Sequence, residues 1–152
     1  SDASKARPYS PWRTIAPPTG AGPELAQGWH RDMDDWRACK LFLYLTDVGP
    51  AQGPHQIVPG SHLERFFIDR DLPPEAFFYG SGRHLDMDVI DRFPHIEFTG
   101  PAGTMFLANT YCFHRGLPVR EGERMIFQAC YGLTTYPHMR ERMGLIREAW
   151  GC

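Results

Sequence analysis

Apolar side chains fall in short runs along most of this chain, and glycine and proline separate the runs. Residues 40–46 (Lys-Leu-Phe-Leu-Tyr-Leu-Thr) are nearly continuous in large apolar groups, the pattern of a strand buried on both faces or closed over by a second sheet. Asp47, Gly49 and Pro50 end that run. Gln56-Ile57-Val58 follows as a shorter strand, stopped at Pro59-Gly60-Ser61-His62, where Pro and Gly supply the angles of a tight turn. Strand patterns return at residues 96–98, 104–108, 112–114 and 125–131, with turns at 100–103 and at Glu121-Gly122. Residues 29–33, after Gln27, also read as a strand. Short strands at this spacing predict an all-β sandwich or barrel of antiparallel strands.

Three stretches depart from the pattern. Residues 1–26 contain Pro8, Pro11, Pro17, Pro18 and Pro23, which favour extended backbone over helix, with one short strand at Trp12, Thr14 and Ile15. Residues 62–95 hold aromatic pairs at Phe66-Phe67 and Phe77-Phe78, the charged cluster Asp69-Arg70-Asp71, and breakers at Pro73-Pro74 and Gly80-Ser81-Gly82. A connection of that length in a small domain usually has a task, and its aromatic content argues against disorder. Near the end, Met139, Met143, Ile146 and Trp150 recur at helical spacing between charged residues. The expected organisation is therefore an extended arm (1–26), a β core (27–135) carrying a lid or insert (62–95), and a C-terminal helix (136–152) packed on the core.

At 152 residues the chain is one domain, long enough to bury a core. The net charge is −2, and the 16 basic residues are scattered; only Lys5 and Lys40 are lysines. That argues against nucleic acid or membrane as partners and for a small molecule, anionic in part, met by single arginines in a pocket. Cys39, Cys112, Cys130 and Cys152 lack any close pairing and read as reduced thiols in a cytoplasmic protein. No apolar run approaches a membrane span.

The candidate chemistry begins at Trp29-His30-Arg31-Asp32. In extended backbone, residues i and i+2 project from one face, so His30 and Asp32 can offer an imidazole nitrogen and a carboxylate oxygen to one point. Taken alone, a His-x-Asp is common by chance, and a third ligand must come from elsewhere. His114, in a strand-to-turn context, is the candidate. Two His and one carboxylate on one side of an ion leave the other positions open, which suits a non-haem ferrous centre. Were a 2-oxo acid to chelate there, its distal carboxylate would run deeper into the barrel and need a partner. Arg124, opening the strand at 125–131, fits through a two-pronged contact. In a jelly roll, the turn after His114 can carry the chain to the facing sheet and place both side chains in one cavity.

Competing residues have plainer readings. Arg120 lies in an Arg-Glu-Gly-Glu turn and is expected in solvent. His62 is expected to order its turn, and His55, His84, His95 and His138 are expected at the surface or in turns. Asp34 and Asp35 are rivals to Asp32 at the end of the strand. Arg31, Arg37, Arg115 and Tyr111 lie near the ligands in sequence, where structural ion pairs are the default. His30-Arg31-Asp32 also matches a kinase catalytic-loop tripeptide, but the chain has neither a Gly-rich phosphate loop nor room for two lobes.

His30-x-Asp32, then Pro59-Gly60-Ser61-His62, then His114 and Arg124, in this order, resembles the phytanoyl-CoA dioxygenase family of iron(II)- and 2-oxoglutarate-dependent oxygenases, over roughly residues 27–133. The resemblance implies a double-stranded β-helix (a cupin-like jelly roll), iron held by His30, Asp32 and His114, and the distal carboxylate of 2-oxoglutarate on Arg124. Trp36, six residues after His30, is similar to a Trp near the co-substrate in the ectoine hydroxylase branch. The implied reaction uses O2, releases succinate and CO2, and hydroxylates an unactivated C–H bond of a small molecule. Asp32 favours hydroxylation over halogenation, because related halogenases carry a small residue there. Only 29 residues precede His30, fewer than family members commonly have. Two rivals stand beside this reading: a cupin-like metalloenzyme that makes no use of 2-oxoglutarate, and a non-catalytic metal- or ligand-binding barrel.

Overall fold

The computed structural model of the chain describes residues 6–8, 12–15, 27–32, 38–72 and 87–132. Its central strand alternates. On β3 (Ala38–Tyr44), Lys40, Phe42 and Tyr44 are buried while Leu41 and Leu43 are only half-buried, and beyond the strand Leu45 is exposed. Of the two expected arrangements, burial on both faces is corrected and closure by a second sheet is what the strand shows: one face is buried and the other is an apolar but partly solvated outer surface. A period of two cannot be read where every position is large and apolar.

β3 lies between β8 (Glu123–Gly132) and β6 (Met105–Ala108), antiparallel to both. In register, Phe42 faces Phe106 on one side and Gln128 on the other, so these side chains share the inner face. Within the stretch expected as an arm, β1 (Ala6–Pro8) and β2 (Trp12–Ile15) both pair with β8, against its C-terminal and N-terminal parts respectively. A large five-stranded antiparallel sheet results.

The smaller sheet has the order β5-β4-β7, formed by β4 (His55–Ile57), β5 (Ile96–Phe98) and β7 (His114–Gly116), again antiparallel. The chain leaves β7 in the small sheet and enters β8 in the large one, so the turn between them does cross to the facing sheet. Between the sheets lies a core of Phe42, Tyr44, Val48, Ile57, Ala108, Cys112 and Ile126, with Phe98 and Phe106 packed against it. Phe98 and Phe106 stack across the gap with ring centroids 4.1 Å apart and planes within 7°. A stacked pair of this kind contributes about 0.5–1.5 kcal/mol beyond its buried area.

A second core covers the other side of the small sheet. Helix α1 (Glu64–Ile68) brings Phe66 and Phe67, and α2 (Met87–Asp91) brings Ile90, against Trp29, Val58 and Phe113. The described part of the segment expected as a lid thus contains two short helices anchored through Phe66, Phe67 and Ile90. The expected C-terminal helix (136–152), Trp36, Asp34, Asp35, Arg37, His84 and His138 lie outside the described residues. Cys39, Cys112 and Cys130 are thiols. No helix among the described residues is long and apolar enough to cross a membrane.

Candidate metal centre

The residues expected to form a strand at 29–33 make a single bridge. His30 and His114 exchange both backbone hydrogen bonds, His30 N to His114 O at 3.0 Å and His114 N to His30 O at 2.9 Å. Asp32 N then donates to Thr110 O at 2.8 Å. This fringe continues the small sheet one chain beyond β7, and it turns His30 and His114 inward side by side, ring centroids 4.3 Å apart. Trp29 and Arg31, on the alternate positions, face the helical side. There Trp29 packs in the second core, and Arg31 donates to Tyr111 O and lies near the rings of Phe67 and Phe113.

One potential ligand atom each from His30, Asp32 and His114 falls within 4.8 Å of the others. His114 Nε2 stands 3.3 Å from Asp32 Oδ2, and His30 Nε2 stands 3.8 Å from Asp32 Oδ1. Metal–ligand bonds of about 2 Å put adjacent ligand atoms of one coordination sphere about 3 Å apart, so small rotations would close the set. Each imidazole also has its other nitrogen engaged: His30 Nδ1 lies 2.8 Å from Gly28 O, and His114 Nδ1 lies 2.9 Å from Cys112 O. A carbonyl only accepts, so both Nδ1 atoms carry a proton, and Nε2 is the nitrogen of each ring that a cation would take. Burial, reinforced by the charge of His114, lowers the His30 pKa and favours its neutral form.

Asp32 has a second basic neighbour that sequence patterning passed over. Lys40, buried on β3, donates to Asp32 Oδ2 at 2.6 Å. Burial by itself would raise the Asp32 carboxyl, but the hydrogen bond and charge of His114, and then those of Lys40, outweigh it and hold the group well below the ordinary carboxylate range. Lys40 is legible only once β3 is known to alternate, with its lysine on the inner face.

Arg124, near the start of β8, reaches from the large sheet toward the small one. Its guanidinium lies against Gly116: a Cβ at that glycine would stand 3.0 Å from Nη2 and 3.2 Å from Nη1. Nη1 is 3.5 Å from Leu117 O. Burial lowers the Arg124 pKa and the nearby Tyr44 hydroxyl partly offsets this; a guanidinium stays charged regardless. Arg120, by contrast, is exposed.

His55 corrects an expectation. Instead of lying at the surface or in a turn, it is buried on the inner face of β4, tilted against Phe42 at 4.6 Å and stacked on His114 at 5.4 Å. Burial, with the charges of His114 and Arg124, lowers its pKa well below the usual value. His95 is exposed as expected. The turn at 59–62 is ordered chiefly by Ser61, whose hydroxyl donates to Val58 O at 2.8 Å and accepts from Phe113 N at 2.7 Å, while His62 Nδ1 meets Cys112 Sγ at 3.2 Å. Arg115 pairs with Asp91 at 2.9 Å and lies over Trp29 on the helical side.

The donor set suits a divalent ion: two imidazoles with Nε2 turned inward and one ionised carboxylate. The wall behind it also has unmet polar capacity. Among the described residues, His55 Nε2 and Arg124 Nε are buried without a hydrogen-bond partner, as is Thr110 Oγ1. Buried polar atoms are ordinarily paired, so these idle atoms beside the triad leave hydrogen-bonding capacity for a ligand.

Comparison with known proteins decides the family. The model of the phytanoyl-CoA dioxygenase family (PhyH) matches residues 4–125, most of the chain. The chain belongs to this family. Among curated proteins, none matches it. Among solved structures, this phytanoyl-CoA dioxygenase family chain is similar to AviO1 from Streptomyces viridochromogenes Tue57, at 22% identity and a TM-score of 0.56 over 87% of this chain and 53% of that one. It is also similar to SnoK, a non-haem alpha-ketoglutarate-dependent carbocyclase from nogalamycin biosynthesis (21% identity, TM-score 0.57, 83% of this chain and 49% of that one). SnoN, an epimerase of the same biosynthesis, gives 19% identity and a TM-score of 0.53 over 83% and 48%. These likenesses extend to the β-rich, cupin-like fold. The chain spans about half the length of each of these structures.

Proposed function

We propose that this chain is the core of a non-haem iron(II)- and 2-oxoglutarate-dependent oxygenase acting on a small organic molecule, and that it hydroxylates an unactivated C–H bond. The two sheets are read as the walls of a double-stranded β-helix, and the segment 62–95 as the lid beside its opening. The observation that carries the reading is the convergence of His30, Asp32 and His114 on one point, with the Arg124 guanidinium lying against Gly116, two residues along the strand from His114. Family membership supports the same chemistry.

In this reading His30 and His114 offer Nε2 and Asp32 a carboxylate oxygen to iron, and Lys40 steadies that carboxylate. Arg124 neutralises the distal carboxylate of 2-oxoglutarate, which would otherwise be buried unpaired at considerable cost. Bound iron supplies the oxidative decarboxylation of 2-oxoglutarate with O2, giving succinate and CO2, and the oxidation of the substrate. The chain's share is orientation, charge balance and exclusion of side reactions. Trp36 is proposed to lie beside the co-substrate. SnoK and SnoN are a carbocyclase and an epimerase, so the fate of the oxidised carbon is a separate question from the use of 2-oxoglutarate.

Succinate formation tests the proposal directly. The chain supplied with iron(II), 2-oxoglutarate and O2 is expected to release succinate, even slowly without substrate, and Arg124→Ala is expected to raise the KM for 2-oxoglutarate at least tenfold. A chain that binds iron but neither binds 2-oxoglutarate nor makes succinate is a cupin-like metalloprotein or a binding barrel instead.

A further inference from the structure

We infer that His55 is a second residue that grips 2-oxoglutarate, donating a hydrogen bond from Nε2 to an oxygen of the distal carboxylate that Arg124 neutralises; this rests on the function proposed above. Three observations converge on it. First, position: His55 is paired in register with Gly116, the glycine against which the Arg124 guanidinium lies, and its ring is stacked 5.4 Å from that of His114. It therefore sits between a metal ligand and the Arg, on the wall along which an extended five-carbon diacid would run. Second, isolation: its Nε2 is buried with no hydrogen-bond partner among the described residues. Third, surroundings: Phe42, Phe98 and Phe106 enclose the ring with centroids 4.6, 6.2 and 5.5 Å away. A histidine in an aromatic box with one idle nitrogen is not there for packing alone, because phenylalanine would fill the space without an unpaired polar atom.

The chemistry of the acid fixes the polarity of the contact. A 2-oxo diacid at neutral pH offers only acceptors, two carboxylates and a ketone. His55 must then be the neutral tautomer with the proton on Nε2. Arg124 supplies charge and His55 supplies direction, so His55 selects for an acid whose oxygen falls at that distance from the metal.

Affinity of the metal-loaded chain for 2-oxoglutarate, measured without O2 by calorimetry and by the visible charge-transfer band of the iron(II) complex, reads this contact. His55→Phe keeps the ring and removes the donor; it is expected to raise the Kd about tenfold, as loss of a hydrogen bond to a charged group does, while metal affinity changes less than about twofold. His55→Gln restores an N–H near the same place and is expected to recover most of the affinity. Unchanged 2-oxoglutarate affinity in His55→Phe overturns the inference, and so does an equal loss in metal affinity, which would make the ring merely a support for His114. A wild-type chain that binds metal but not 2-oxoglutarate overturns the proposed function, and the role of His55 with it. Should His55→Phe fail to fold, wild-type chain with 15N-labelled histidine and Zn(II) gives the answer by NMR. Adding 2-oxoglutarate should shift the His55 Nε2 signal and slow exchange of its proton, and an unmoved signal rules the contact out.

Discussion

The ammonium of Lys40 and the divalent ion proposed for this site would draw on the same carboxylate. Lys40 Nζ lies 2.6 Å from Asp32 Oδ2, the oxygen also nearest His114 Nε2. A bound cation would take over much of that charge and relieve Lys40 of it. Lys40→Met should therefore destabilise the metal-free chain by roughly 1–3 kcal/mol, below the full cost of breaking a fully buried pair because Asp32 retains some exposure. Excess Zn(II) should recover most of the loss. Urea unfolding with and without metal measures both, and an equal loss in the two conditions would show that Lys40 does not share the carboxylate with the ion. At this scale the sequence disclosed what local spacing can disclose. His30 and Asp32 at i and i+2 were readable, since extended backbone alone puts them on one face. Lys40 and His55 were not, because each matters only through residues from other strands, and nothing beside them in sequence marks the inner wall.

The crossing from β7 to β8 is the element on which the pocket turns. Gly116 is placed where a side chain would crowd the guanidinium of Arg124 from the opposite sheet. An added methyl stands 3.0–3.2 Å from Nη2 and Nη1, close enough to displace the group by a few tenths of an ångström, and a branched side chain would displace it further. Gly116→Val is accordingly expected to raise the Kd for 2-oxoglutarate at least tenfold, with Gly116→Ala intermediate and metal affinity nearly unchanged in both. Calorimetric titration of each variant with metal and then with 2-oxoglutarate checks this; a Val variant that binds the acid normally would place the Arg contact elsewhere. Strand positions were legible within one or two residues at 96–98, 105–108 and 123–132, since turn residues bracket them. The partition of β7 and β8 between sheets followed from a jelly-roll argument and not from periodicity. The pairing of β1 and β2 with β8 had no local signal, because Pro8 and Pro11 mask an edge that tertiary contacts complete.

For the molecule as a whole, buried neutral imidazoles make stability depend on pH. The pKa values of His30 and His55 are both lowered by burial, His55 further by the charges of His114 and Arg124 and His30 further by His114, with Asp32 opposing in each case. In the unfolded chain both take up protons near pH 6.5. Between that pH and their lower folded values the unfolded state holds more protons, so stability is full above pH 6.5 and falls as pH drops, by about 1.4 kcal/mol per pH unit for each proton. Chemical denaturation of the metal-free chain between pH 7.5 and 5 should show this decline, and His55→Phe should reduce the slope by up to one proton. A flat profile would mean that these rings are not kept neutral.

The two walls also differ in how firmly they are held. β4, β5 and β7 are three residues each, whereas β8 runs for ten. A guest gripped by imidazoles on the short-stranded wall and by a guanidinium on the long one is a rivet through both. Occupancy and rigidity would then rise together, leaving the barrel loosest just after its spent acid departs, when the next guest has to be admitted.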